Sequence, residues 1–213
     1  MANTDLKTLV PDVLLEVQGA PTFSIVNALR RAAIDLCEQA HVWEQSDDPL
    51  LAVSGQPEQD LPLPSNGDLV QLLSLHRKTT ELTPVSVHDI FTLQGDADDS
   101  NTWGEPTYYS ADTFTSVRLH PIPSHTETLV CRMALKPKSN ATSIPTEITV
   151  RWRNALLHGA KYYLCMMTAE WGNPERALFY RRLFDSEIAK ARMTRFKGYN
   201  NPSLRVKSRF FGA

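Results

Sequence analysis

The sequence predicts an α+β chain: an antiparallel helical bundle that carries a small inserted antiparallel β domain and ends in an extended C-terminal arm. Three observations predict it. Apolar residues recur at helical spacing toward both ends of the chain, over 22–43 and 144–197. Between them, prolines at 49, 57, 62, 64, 84, 106, 121, 123 and 137 punctuate short runs of β-forming residues. Beyond Gly198, with Asn200, Asn201 and Pro202, no apolar stripe is long enough to fold the remainder alone. The predicted division is 1–46 for the N-terminal helices of the bundle, 47–143 for the β domain, 144–197 for the C-terminal helix pair and 198–213 for the arm.

The elements follow in order. Thr8 to Gln18 reads as a short helix with Pro11 in its first turn, stopped by Gly19 and Pro21. Val26, Leu29, Ala33, Leu36, Ala40 and Trp43 then recur at 3-4-3-4-3 spacing. Arg30, Arg31, Asp35, Glu38 and Gln39 fall on the opposite side, so this helix should end near His41 to Glu44. The β-type runs are Leu50–Val53, Leu69–Arg77, Tyr108–Ser110, Val117–His120 and Leu129–Lys136. Ser86 to Gln94 reads as a helical turn, and Gly95 to Gly104 as an exposed polar loop.

Helix is predicted again after Pro145, with Ile148, Trp152, Ala155, Leu156, Gly159 and Tyr163 along one face. A glycine in mid-helix costs about 1 kcal/mol against alanine, so Gly159 implies close approach of another backbone. Trp171-Gly172-Asn173-Pro174 is a stop and restart: Gly172 ends one helix, Asn173 caps the next and Pro174 takes its first position. Ala177, Tyr180, Phe184, Ile188 and Ala191 form the next stripe. Each of the two helices is predicted to hold about 24 residues, and the short connection makes them antiparallel neighbours. Met166 and Met167 with Trp171 fit a core stripe better than an adaptable contact surface.

Charge is unevenly distributed. From Arg151 onward there are 13 Lys/Arg against 4 Asp/Glu, which leaves 9 basic and 20 acidic residues for the rest. Such asymmetry points to a partner or to other copies of the chain. The first residues lack a basic region followed by an apolar one, so no signal peptide is expected, and no run is long enough to span a membrane. Cys37, Cys131 and Cys165 are odd in number and widely spaced, as expected of small buried hydrophobes in a reduced chain.

No constellation for catalysis, cofactor or metal binding is found. The six histidines share no ligand spacing, and neither a Gly-rich phosphate loop nor a nucleophile elbow occurs. Asp96, Asp98 and Asp99 lack the glycine and terminal glutamate of a calcium loop. Together with Trp103 they are instead candidates for contact with a neighbouring subunit or another component of an assembly. The arm is the other candidate site. Tyr199, Leu204, Val206, Phe210 and Phe211 interleave there with Arg205, Lys207 and Arg209. Docking on a protein partner, contact with nucleic acid and an unconstrained end are all open on composition. Alternation at 204–209 also fits strand addition to a partner sheet.

Several segments in order carry a family resemblance. They are Pro11-Asp12-Val13-Leu14-Leu15 before the helix at Val26–Glu38, then Leu61-Pro62-Leu63-Pro64, Gly104-Glu105-Pro106-Thr107-Tyr108-Tyr109 and Val117-Arg118-Leu119-His120-Pro121. Val130 to Pro137 and Trp171-Gly172-Asn173-Pro174-Glu175-Arg176 follow. Over residues 8–197 the chain resembles the head-to-tail adaptor proteins of tailed bacteriophages, and is similar to the tail tubular A type. The resemblance implies a non-enzymatic virion protein assembled in the host cytoplasm. It implies a homo-oligomeric ring, twelve copies around, that binds the phage portal and the next tail component. DNA would pass through the lumen without sequence-specific binding. Ring contacts are heterologous, so opposite charges on two parts of one chain suit them. The alternative reading is a nucleic-acid-binding protein that uses the basic C-terminal third, with no membrane partner in either case.

Overall fold

The computed structural model describes residues 2–94, 103–111 and 113–198. The first part of the chain runs through β1 (Asn3–Asp5), a 3-10 turn at Leu6–Leu9, α1 (Val10–Leu14), α2 (Thr22–Ala40), β2 (Trp43–Ala52), β3 (Glu58–Asp60), β4 (Gly67–Arg77), β5 (Thr80–Glu81), β6 (Thr83–Pro84) and α3 (Val87–Gln94). It continues through β7 (Trp103–Gly104), β8 (Tyr108–Ser110), β9 (Ser116–His120), β10 (Ile122–Pro123), β11 (Glu127–Pro137), β12 (Ser143–Pro145), α4 (Thr146–Arg151), α5 (Arg153–Cys165) and α6 (Pro174–Lys197). None of the described helices is long and apolar enough to cross a membrane.

The expected fold class is corrected here. The chain is not a helical bundle with a small inserted domain; helix and sheet contribute to one shared core. Two four-stranded sheets run in the orders β2-β11-β4-β5 and β3-β9-β8-β6. The first is antiparallel throughout, whereas β6 pairs parallel with β8. Strands β2, β4 and β11 are 10 or 11 residues long, more than their apolar runs indicated. Two physical reasons account for the length. Pro49 lies on β2, an edge strand, where a missing amide hydrogen is tolerated, so the strand passes through it. Register shifts along β11, beside Met133 on both partners, absorb irregularities that break simple alternation.

A sheet of this size has an apolar face to cover, and α2 covers it. Leu129, Met133 and Leu135 of β11 join Leu29 and Leu36 of α2 in the same buried cluster as Leu156 and Phe184. Helix α2 is accordingly buried over a wider arc than its predicted stripe. Ile25, Ala28, Ala32 and Cys37 are buried alongside Val26, Leu29, Ala33 and Leu36, because the sheet takes one side and helices take the other. The helix ends at Ala40, where His41 adopts a left-handed conformation (φ 48°).

The C-terminal helices depart from expectation in three respects: a break, an early end and the exposure of two methionines. The single helix predicted after Pro145 is broken at Trp152 (φ −110°, ψ 28°) into α4 and α5, and α5 stops at Cys165. The following segment folds back so that the Asn173 amide donates to the Cys165 carbonyl. A Cβ on Gly172 would sit 2.1 Å from the Met167 carbonyl oxygen, so only glycine fits that bend. Met166 and Met167 therefore leave the helix and are exposed rather than packed in the core. Helix α6 starts as expected: the Asn173 side chain accepts from the Arg176 amide, with Pro174 in the first position.

Helix α5 lies between α2 and α6 and touches both at Gly159. A Cβ there would come within 2.6 Å of the Ala32 Cβ and 3.1 Å of the Phe184 ring. Gly159→Ala should therefore destabilise the protein by about 1–3 kcal/mol through overpacking. Adding Ala32→Gly to it should recover part of the loss. Chemical denaturation of the single and double variants measures this coupling, and purely additive effects would show that the two positions do not press on each other.

Candidate functional site

Among the described residues, most basic side chains of the last third are engaged within the fold. Arg153 pairs with Asp12, and Lys161 with Glu16. Arg195 meets Glu44, which Arg132 also contacts at 2.5 Å. Arg181 and Lys190 pair along α6 with Asp185 and Glu187. Arg192 donates to the Gln39 carbonyl at 2.7 Å, satisfying one of the last carbonyls of α2. The charge asymmetry thus has an intramolecular use, joining the acidic first helices to the basic last ones.

The most enclosed of these contacts surrounds Glu16. Lys161 is only 5% exposed and donates to one Glu16 oxygen at 2.6 Å, while the Tyr180 hydroxyl donates to the other at 2.5 Å. A buried ammonium needs such a partner, because desolvation without one is costly. These two donors hold the Glu16 carboxyl below its ordinary pKa. His158 stacks on the Tyr180 ring, and burial lowers its pKa. A second polar cluster joins α2 and α5: Tyr163 donates to Asp35, and the Arg31 guanidinium lies 4.3 Å from the Tyr163 ring centre.

Among the surface clefts, two differ in character. One, of about 290 Å³, is lined by His41, Glu44, Arg132, Glu147, Trp152 and Arg195 where α6 ends at Gly198. Its charges are of both signs, which suits neither a polyanion nor a cation in particular. The other, of about 340 Å³, lies between β4 and the stretch after β8 and is lined by Leu72, Pro84, Tyr109 and Phe114. Among the described residues, no group of three or more His, Cys, Asp or Glu side chains could hold a metal ion.

Of the sequence-predicted site residues, only Trp103 lies within the described residues. It is 48% exposed, sits on β7 beside Ile122, and its ring approaches Gly55. Asp96, Asp98 and Asp99 lie outside the described residues, as do Tyr199, Leu204, Arg205, Val206, Lys207, Arg209, Phe210 and Phe211. The three cysteines are free and buried.

The sequence reading missed a second stripe on α6. Phe179, Arg182, Ser186, Ala189, Met193 and Phe196 repeat the 3-4-3-4-3 spacing and are all exposed. The buried stripe of Ala177, Tyr180, Phe184, Ile188 and Ala191 faces away from them. The spacing was present, but Arg182 and Ser186 interrupt its apolar character, and the more uniformly apolar stripe on the opposite side reads first as core.

Comparison with known proteins gives one family. The family model described as SU10 adaptor protein matches residues 2–206, nearly the whole chain. No curated protein matches it.

The Glu16 cluster predicts a pH dependence. A carboxyl held below its ordinary value of 4.5 contributes stability that is complete above that value and is lost as pH falls through the folded-state value. Urea unfolding across acidic pH should show this decline in the natural chain. Glu16→Gln should lower stability at neutral pH, by stranding the Lys161 ammonium, and should flatten the acid decline. An unchanged pH profile in Glu16→Gln would show that the carboxyl is not coupled to folding.

Proposed function

The chain belongs to the SU10 adaptor protein family and is a bacteriophage structural adaptor, and from that premise we propose that its copies form a head-to-tail ring. The ring joins the portal to the tail and leaves an axial passage for DNA. Twelve copies is the proposed stoichiometry, and the chain plays the part that tail tubular A proteins play. The observation that carries the reading is the extent of the family match, which takes in the described helices and both four-stranded sheets and ends at Val206. The internal use of Arg153, Lys161, Arg181, Lys190, Arg192 and Arg195 supports it over the nucleic-acid-binding alternative. A phosphate-binding face needs basic side chains free to replace counterions.

In this reading the last residues are the portal anchor. Phe210 and Phe211 fill an apolar pocket, and Tyr199, Leu204, Arg205, Val206, Lys207 and Arg209 surround them. Asp96, Asp98, Asp99 and Trp103 face a neighbouring subunit or the next tail component. Burial of one phenylalanine side chain contributes roughly 1.5–3 kcal/mol, more than a rim charge. Binding to the purified portal of the same phage should therefore fall more on Phe210→Ala with Phe211→Ala than on neutralising Lys207. A chain ending at Lys197 that binds the portal as tightly as the full chain would remove the last residues from the contact. A full chain that does not bind portal at all would overturn the adaptor-ring reading.

A further inference from the structure

Helix α6 is held to the subunit in two different ways along its length. Ala177, Tyr180, Phe184, Ile188 and Ala191 are buried, and after Ala191 no residue of the helix is. Residues 192–197, about 9 Å of helix at 1.5 Å per residue, extend past the core. Met193 is exposed there and Phe196 is 79% exposed, so neither supplies the apolar burial that fixes the earlier turns. Clefts of about 290 Å³ and 520 Å³ are lined both by this segment and by His41 and Arg132 of the body. The segment therefore does not pack closely on what lies beside it.

The contacts described for this segment are polar. Arg192 donates to the Gln39 carbonyl at 2.7 Å, at the end of α2. Arg195 donates to one Glu44 oxygen, while Arg132 of β11 donates to the other at 2.5 Å. Burial alone would raise the Glu44 pKa, but hydrogen bonds from Arg195 and Arg132 outweigh it and hold the carboxyl below its ordinary value. Glu44 thus joins three elements: β2, which carries it, β11 and the end of α6. Its two partners are not equivalent. If Arg195 leaves, Arg132 still neutralises Glu44, so no enclosed charge is stranded. No core side chain is uncovered either, because none is buried beyond Ala191. Local opening is easiest where few apolar contacts must break.

We infer that residues 192–197 are a strap latched to the subunit through Glu44, and that the strap lifts off while the rest of α6 stays packed. The last fifteen residues follow from it through Gly198, so the latch fixes where they start. This device needs neither a ring nor a portal, and it holds or fails on the single subunit.

Hydrogen exchange of the full-length chain, read by mass spectrometry at neutral pH, tests it. The natural chain is compared with Glu44→Gln and with Arg195→Gln, in about 0.05 M and about 1 M sodium chloride, since the higher concentration screens exposed charges. Arg195→Gln leaves the Arg132–Glu44 pair in place, so it decides the matter if Glu44→Gln lowers the melting temperature. Peptides covering 192–197 should exchange about three- to fivefold faster in each variant than in the natural chain at low salt. High salt should accelerate them in the natural chain and add little in Arg195→Gln. Peptides covering 177–188 should be unchanged throughout. Equal exchange of 192–197 in the natural chain and in Arg195→Gln would overturn the latch. Faster exchange along the whole of α6 would overturn the strap, because the helix would then open as one unit.

Discussion

The close approach of α5 to α2 at Gly159 is the constraint on which the rest of the helical half depends. No side chain fits between Gly159, Ala32 and the Phe184 ring, so three helices meet at one point without a spacer. That contact sets α2 deep enough for its other side to reach β11. The sheet then has a cover for its apolar face, and the two halves of the chain share one core. A single glycine in the last third thus lets α5 close on α2, whose other side covers the sheet. Close packing makes such a point intolerant, because added volume there has no room to relax.

Electrostatics reinforces the same arrangement from the outside. Asp12, Glu16 and Glu44 from the first part of the chain meet Arg153, Lys161 and Arg195 from the last. Most of these pairs are partly exposed and individually weak. The Glu16 cluster differs, because Lys161 is buried and its ammonium depends on that one carboxylate and its neighbours. Separation of charge along a sequence can therefore reflect contacts between its own ends, and an adaptor's outward surfaces must be sought in what the ends leave uncovered.

Several elements were legible residue by residue, although their assembly into one shared core, rather than a bundle with a small inserted domain, was not. The stripe from Val26 to Ala40, the strands at Tyr108–Ser110 and Val117–His120, and the Asn173-Pro174 restart are all read from local spacing and capping, and local physics forms them. What was not legible depended on partners distant in sequence. The lengths of β2, β4 and β11 are set by pairing across the sheet, which Pro49 does not interrupt at an edge. The break at Trp152 and the exposure of Met166 and Met167 follow from a bend that only the folded chain reveals. Of the candidate site residues, the sequence pointed to the ends of loops and to the last residues, and passed over the outer face of α6. A stripe at regular spacing reads as core until a neighbouring stripe is seen to take that role.

Helix α6 thus joins the two levels of the account, packing inward to complete the subunit and presenting Phe179, Met193 and Phe196 outward. Phage adaptor function requires that a folded subunit still have surfaces to offer. The most direct measurement of the central claim is electron microscopy of the full-length chain assembled on the portal of its phage. The account predicts a closed ring of copies around an axial opening. Separate copies bound around the portal without touching one another, or a plug without an opening, would contradict it.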